Sequence, residues 1–408
     1  MKLPHIWTRV TIVAVGVGLG PLVQLLATPL LARMYSPADF GQLALFASVV
    51  SVLTVVACLR YEGAIQVGED SEVDSIVWAS VAAALLIFVV GMVALLLGAP
   101  QDTFESLHNL YEDARWVPVV AACAGVIAVA SNLTLRTNRY VRNALLRSGA
   151  SVVFVAIALG SSGITLLHAN AMAFTCMGLV AVVYLWRSVQ KVRLANVWQV
   201  AQIYKKYPLL LAPTSLLDAV ALTLPVMFIS GSYGLDATGH YAQIQRLIGA
   251  PVLLAGVIAG QLFTKRSGEL YRAGESSRAL LWKVTGTLAV GAAVAILAIA
   301  LFGEPLCQLI LGGAWRVDTQ FLLLVTIPLF VRAIVSPVTT VFLTHNHIEV
   351  AVKWQIGYFA VTFGGLKYAA STMTFERFLM AYACIEMVAY LTYLALCHWV
   401  AAVRKNAP

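Results

Sequence analysis

Seven ionisable side chains stand inside or at the ends of long apolar runs: Arg33, Arg60, Asp218, Arg246, Arg332, Lys367 and Glu386. In hydrocarbon each costs a few kcal/mol or more and requires a partner or an aqueous cavity. Cations lead anions five to two, so pairing within the set cannot neutralise them all. A cavity with surplus positive charge suits an anionic passenger, and guanidinium forks suit phosphate oxygens in particular. Arg60, Arg246, Arg332, Arg33 and Lys367 are therefore the candidate substrate-binding residues.

Each has a plainer reading. Arg33, Arg60 and Lys367 lie close enough to helix ends to snorkel to the interface. Arg246 and Arg332 lie about eight and more than ten residues into their runs, which favours a lumen-facing role for both. Asp218 can serve as a structural partner of Arg246. Glu386 can be a proton or cation site, or a protonated helix-to-helix hydrogen-bond donor.

These residues are carried by a chain of 408 residues that is 60% hydrophobic and 11% charged. Its mean hydropathy is +0.85. Soluble domains average roughly 45–50% apolar and about 25% charged. Runs long enough to span a bilayer lie near 10–32, 41–59, 75–98, 116–135, 148–164 and 168–186. Six more lie near 209–230, 239–263, 283–302, 319–343, 354–371 and 378–400. The expectation is an all-α integral membrane protein of about 12 transmembrane helices. Segments such as 81–99 have no polar face, which excludes a soluble bundle, and the alternation of a transmembrane barrel is absent.

With the N-terminus inside, twenty of the 27 Lys and Arg residues fall in inner segments, four in outer loops and three within spans. That bias predicts both termini in the cytoplasm. It also accounts for the net charge of +8 without a nucleic-acid patch. The acidic inner loop Glu62 to Asp74 departs from the rule. The first run is too long for a cleaved signal peptide and lacks a small-x-small site. The six cysteines have no metal-ligand spacing and imply no disulfide framework.

Two segments share a pattern: Tyr35 to Ala44 and Tyr233 to Ala242 both read Y-x5-G-x-x-A, and each opens the second span of a six-span set. A duplication predicts an N-terminal lobe over 1–190, a basic linker over 191–207 and a C-terminal lobe over 208–408. Paired repeats around a central cleft are a transporter architecture. Pro and Gly inside the spans (Gly16, Gly18, Gly20, Pro21, Pro213, Pro225, Gly249, Pro251, Pro328 and Pro337) permit the bending that alternating access needs. Phosphate-loop, dinucleotide and zinc-protease motifs are missing, so no cofactor is expected. Transport would then draw on Na⁺, H⁺, the membrane potential or the substrate gradient. His345 and His347, two apart in an inner loop, are expected to be solvated.

The stretch LLARMYSPADFGQLALF (30–46), LRYEGAIQV (59–67) and the acidic 69–74 segment resemble the bacterial polysaccharide-export flippases. These are the Wzx-type members of the multidrug/oligosaccharidyl-lipid/polysaccharide (MOP) superfamily. The segments 204–218, 239–256, 311–316 and 330–342 are similar to that family too. The resemblance implies a V-shaped pair of six-helix lobes in the bacterial cytoplasmic membrane. It implies an undecaprenyl-pyrophosphate oligosaccharide as substrate, turned over by alternating access. Membrane lipids, a polysaccharide polymerase and a chain-length regulator are the implied partners. Arg33 and Asp39 match its first block, Arg60 and Glu62 its second, and Arg246 its eighth-helix arginine. Glu62, Asp218, Asp39 and Glu386 are the candidate coupling or structural partners. Two rivals stand beside it. A drug/cation antiporter of the same fold would need acids deep in a lobe. A membrane-embedded polymerase or ligase would need a large outer loop, whereas the longest here, about 99–115, is short and acidic.

Overall fold

The computed structural model describes residues 4–97, 110, 113–161, 163–190, 194–315 and 317–402, with side chains from residue 18 onward except at 194, 253 and 254. Gly16, Arg316 of the 311–316 segment, the start of the 191–207 linker and most of the outer loop 99–115 lie outside the described backbone or side chains. Among the described residues every regular element is helical. The helices are α1 (Pro4–Met34), α2 (Pro37–Ala57), α3 (Tyr61–Ala64), α4 (Val73–Leu96), α5 (Trp116–Arg136), α6 (Tyr140–Gly160) and α7 (Leu166–Ser188). They continue as α8 (Leu194–Ile203), α9 (Ala212–Arg272), α10 (Arg278–Leu311), α11 (Thr319–Val335), α12 (Val341–Thr344), α13 (Ile348–Thr372) and α14 (Phe375–Ala402).

Nine helical stretches among the described residues are long and apolar enough to cross a membrane. One of them, Tyr207–Val252, has 46 residues, about 69 Å of helix and twice a bilayer core. Gly234 breaks it with φ 85° and ψ 173°, a conformation open to glycine, and so divides the expected seventh and eighth spans. With that division the described residues hold ten such stretches against the expected twelve; α1 and α13, which cover the other two expected runs, are not among them. Apolar side chains point outward: Val290, Val294, Leu297 and Leu301 of α10 are each at least 60% exposed along one helical face. In water such a stripe would aggregate; in a bilayer it is the solvent-facing surface.

Chain contacts divide the protein into two compact units, Met1–Gly239 and His240–Pro408. In the first, α5 is central. Its Val129, Ala130 and Leu133 pack with Ile65, Ile76, Val77, Leu185 and Val200. Helix α1 lies along α6, joined by Gln24 to Ser151 at 3.1 Å. The Tyr35 hydroxyl donates to the Ala158 and Ile164 carbonyls at 2.9 and 3.2 Å. Ser36 caps α2 through a reciprocal box with Asp39, and Pro37 occupies the first turn, where its missing N–H costs nothing.

The acidic inner loop finds its reason here. Asp70 pairs with Arg136 at 2.5 Å, and Glu72 accepts from the Tyr204 hydroxyl at 2.8 Å. That bond pushes the Tyr204 phenol up to about 12. The loop's acids are thus partly engaged by the chain around them, and the positive-inside bias, which counts Lys and Arg, gives acids little weight.

In the second unit, Phe263, Leu281, Val338, Val341, Phe342 and Cys397 form one core cluster. His345 departs from the expectation of solvation. It is buried, packs at a tilt against Tyr271 at 4.5 Å between ring centroids, and meets Ser277 and Thr344 at 3.2 and 3.0 Å. Burial holds its imidazole below the ordinary value.

Candidate functional site

Arg60 is presented by an unusual turn. Helix α2 stops at Ala57, and Leu59 and Arg60 follow with φ of 48° and 64°. Two consecutive non-glycine residues in the left-handed region cost about 1–2 kcal/mol each, and such strain persists only where surrounding contacts impose it. The contacts are visible. Tyr61 donates to the Ala201 carbonyl at 3.1 Å, and Ala64 and Ile65 are fully buried. Arg136 donates to the Ile65 carbonyl at 2.6 Å.

The turn aims the guanidinium at α9, where Nε and Nη2 donate to Ser215 Oγ at 3.0 and 2.6 Å. Its Nη1 lies 3.6 Å from Glu62 Oε1, and the Arg60 side chain remains 39% exposed. The other Glu62 oxygen, Oε2, is buried without a hydrogen-bond partner among the described residues. Burial pushes the Glu62 carboxyl up, opposed by its own backbone amide and by Arg60. Asp218 follows Ser215 by three residues on the same helix and is exposed, so the two share a face. Arg60 is therefore a solvent-reachable cation held by a neutral hydroxyl and one loosely placed carboxylate.

The second unit places its charges differently. Arg332 of α11 donates to Glu386 Oε2 of α14 at 2.8 Å and to the Tyr358 hydroxyl of α13 at 3.0 Å. Tyr358 in turn donates to Glu386 Oε1 at 2.5 Å. Glu386 is wholly buried, and the Arg332 guanidinium lies 5.4 Å from the Tyr390 ring centroid. Three helices are thus joined by one neutralised, hydrogen-bonded cluster. Arg246, on α9, is partly buried, and among the described residues of its own unit no hydrogen bond or ion pair meets it.

The remaining candidates are peripheral. Arg33 is exposed in the last turn of α1, where its charge complements the helix dipole. Lys367 is exposed near the end of α13. Asp39 is engaged in the α2 capping box. Sequence reasoning missed Ser215, Tyr358 and Tyr390. Tyr382, Glu386, Tyr390 and Tyr393 follow a 4-4-3 spacing, which places them on one face of α14 and was readable beforehand. No group of three or more His, Cys, Asp or Glu among the described residues is arranged to hold a metal.

The profile of a family described as polysaccharide biosynthesis protein matches residues 30–319. No curated protein matches the sequence. Solved structures match nearly end to end. One is an inward-facing multidrug-resistance MATE transporter of the MOP superfamily, at 16% identity and a TM-score of 0.58, covering 98% of this chain and 95% of that one. A MOP-superfamily transporter from Pyrococcus furiosus Vc1, whose binding pocket is described as having reversed polarity, matches at 15% identity and 0.60 over 96% and 95%. The MATE multidrug transporter DinF-BH matches at 11% and 0.59 over 97% and 95%. At such identities the likeness shows the fold, which is that of the MOP transporters.

Proposed function

The chain belongs to the polysaccharide biosynthesis protein family, and from that premise we propose that it turns over an undecaprenyl-pyrophosphate-linked oligosaccharide across a bacterial inner membrane. It would act as a transporter, not as an enzyme, with both termini in the cytoplasm. The observation that carries this reading is the state of Arg60. Its guanidinium is reachable, pre-aimed by a strained turn, and bonded to a hydroxyl that an anion outcompetes. A pyrophosphate oxygen accepting from Nε and Nη2 would replace a neutral acceptor by an ionised one and turn the contact into an ion pair. Arg332 already has its counterion in Glu386 and serves to join helices, not to hold substrate.

The test uses proteoliposomes with a fluorescently tagged polyprenyl-pyrophosphate oligosaccharide and an impermeant quencher. A charged hydrogen bond contributes roughly 1.5–3 kcal/mol, so Arg60→Ala is expected to slow translocation on the order of tenfold to a hundredfold. Ser215→Ala, which removes only the resting partner, should retain most of the rate. Wild-type rates in Arg60→Ala would refute the anion-site reading. Export of a cationic dye by protein that leaves the lipid in place would replace it with a drug antiporter of the same fold.

A further inference from the structure

The two Y-x5-G-x-x-A motifs meet. A Cβ added at Gly41 would overlap the Leu235 carbonyl oxygen outright and stand 3.0 Å from the Gly239 nitrogen. A Cβ added at Gly239 would overlap the Pro37 carbonyl oxygen and stand 3.1 Å from the Gly41 nitrogen. Leu235 and Pro37 each lie four residues before the opposing glycine, so the contact is reciprocal. Such an arrangement is what a local two-fold axis produces.

The local chemistry is matched as well. Ser36 caps α2 at Pro37, and the non-helical Gly234 restarts α9 at Leu235. Each glycine is therefore the fifth residue of its helical run. The surroundings are dry: Phe40, Leu43 and Thr238 are all buried. Both glycines and both carbonyls belong to the first compact unit.

A crossing of this kind holds by van der Waals contact and weak Cα–H···O bonds, with no side chain interlocked between the backbones. Interdigitated side chains would have to change rotamer to separate; two bare backbones need only part. We propose that the Gly41–Gly239 crossing is a backbone-to-backbone gate, shut in this structure and opened once per transport cycle at the outer end of the helices. Its sidedness rests on the topology of the flippase reading; its closure rests on the contact alone.

The experiment places a single reporter, Thr238→Cys, in the full chain with its six native cysteines replaced by alanine. Thr238 is fully buried beside the crossing. Modification by a membrane-impermeant maleimide is followed from the outer side of oriented proteoliposomes. Adding Gly41→Ala or Gly239→Ala should raise the labelling rate at least about tenfold, because the added methyl excludes the shut state and shifts the population to the open one. In the glycine-intact reporter, tagged lipid-linked oligosaccharide should accelerate labelling during turnover. Unchanged labelling in alanine variants that remain monodisperse and helical overturns the gate. If both variants fail to fold, the glycine-intact reporter decides alone: a slow rate indifferent to substrate overturns the proposal. Faster labelling in the alanine variants without any lipid translocation by the glycine-intact protein would leave the gate standing and remove the flippase reading.

Discussion

Replacing Glu386 by Gln separates a structural cluster from a substrate site. The carboxylate is wholly buried and accepts from Arg332 at 2.8 Å and from Tyr358 at 2.5 Å. The amide keeps the volume and one acceptor, so Arg332 still donates as a cation, while the Tyr358 hydroxyl loses its ionised acceptor. At roughly 1.5–3 kcal/mol for a charge-assisted bond and 0.5–1.5 for a neutral one, the direct loss is about 1–1.5 kcal/mol. Arg332 is then left without its counterion, and breaking a buried pair from one side costs about 3–5 kcal/mol in total. Arg332→Gln should cost a similar amount, because it strands Glu386. The double variant carries no buried charge and should recover at least about 2 kcal/mol relative to the sum of the singles. Reversible unfolding of purified protein in detergent measures all four corners of the cycle, and the lipid-translocation assay follows each. A double variant that is stable and transports at near the native rate assigns the cluster to architecture. Single variants costing under about 1 kcal/mol, or additive singles, would refute the energetic argument. A stable but inactive double variant would return Arg332 to the substrate path.

Ser36→Ala removes the acceptor of the α2 cap and should destabilise the protein by about 1 kcal/mol. Asp39→Ala should do likewise, and the pair should cost less than the sum because both belong to one box. Thermal unfolding in detergent checks this, and a full additive loss would contradict the box. His345, held below its ordinary value by burial, keeps the folded chain in favour of the neutral imidazole. Its contribution is complete above the unfolded value of about 6.5 and is lost as the pH falls through 6.5 toward the folded value. His345→Gln should therefore flatten the fall in melting temperature between about pH 7.5 and 5; an unchanged slope would show that other groups carry it.

Periodicity and apolar length were legible because a bilayer imposes them residue by residue. The cap within Tyr35-Ser-Pro-Ala-Asp-Phe-Gly41 went unread, although every partner lies within one turn. Its residues turn out to serve the fold: Ser36 and Asp39 cap, Pro37 starts the helix, and Gly41 admits a crossing. The block that identifies the family is thus mainly architectural. What else stayed hidden is what distance in sequence hides. Ser215 meets Arg60 across 155 positions, and no local rule marks one serine in an apolar helix as a guanidinium's partner. Glu386 was visible as a buried acid, yet its tyrosine neighbours on α14 made sense only once Arg332 and Tyr358 arrived from two other helices. The acidic inner loop looked like a breach of topology because its acids were counted along the chain; in space, Arg136 pairs with Asp70 and the Tyr204 hydroxyl donates to Glu72. The repeated motif gives the sharpest contrast. Its two copies could be aligned from the sequence, which argues for duplication. That the copies touch each other, glycine against glycine, follows only from the helix geometry that carries them. An added methyl on either side closes the same space, so the two glycines carry one constraint between them.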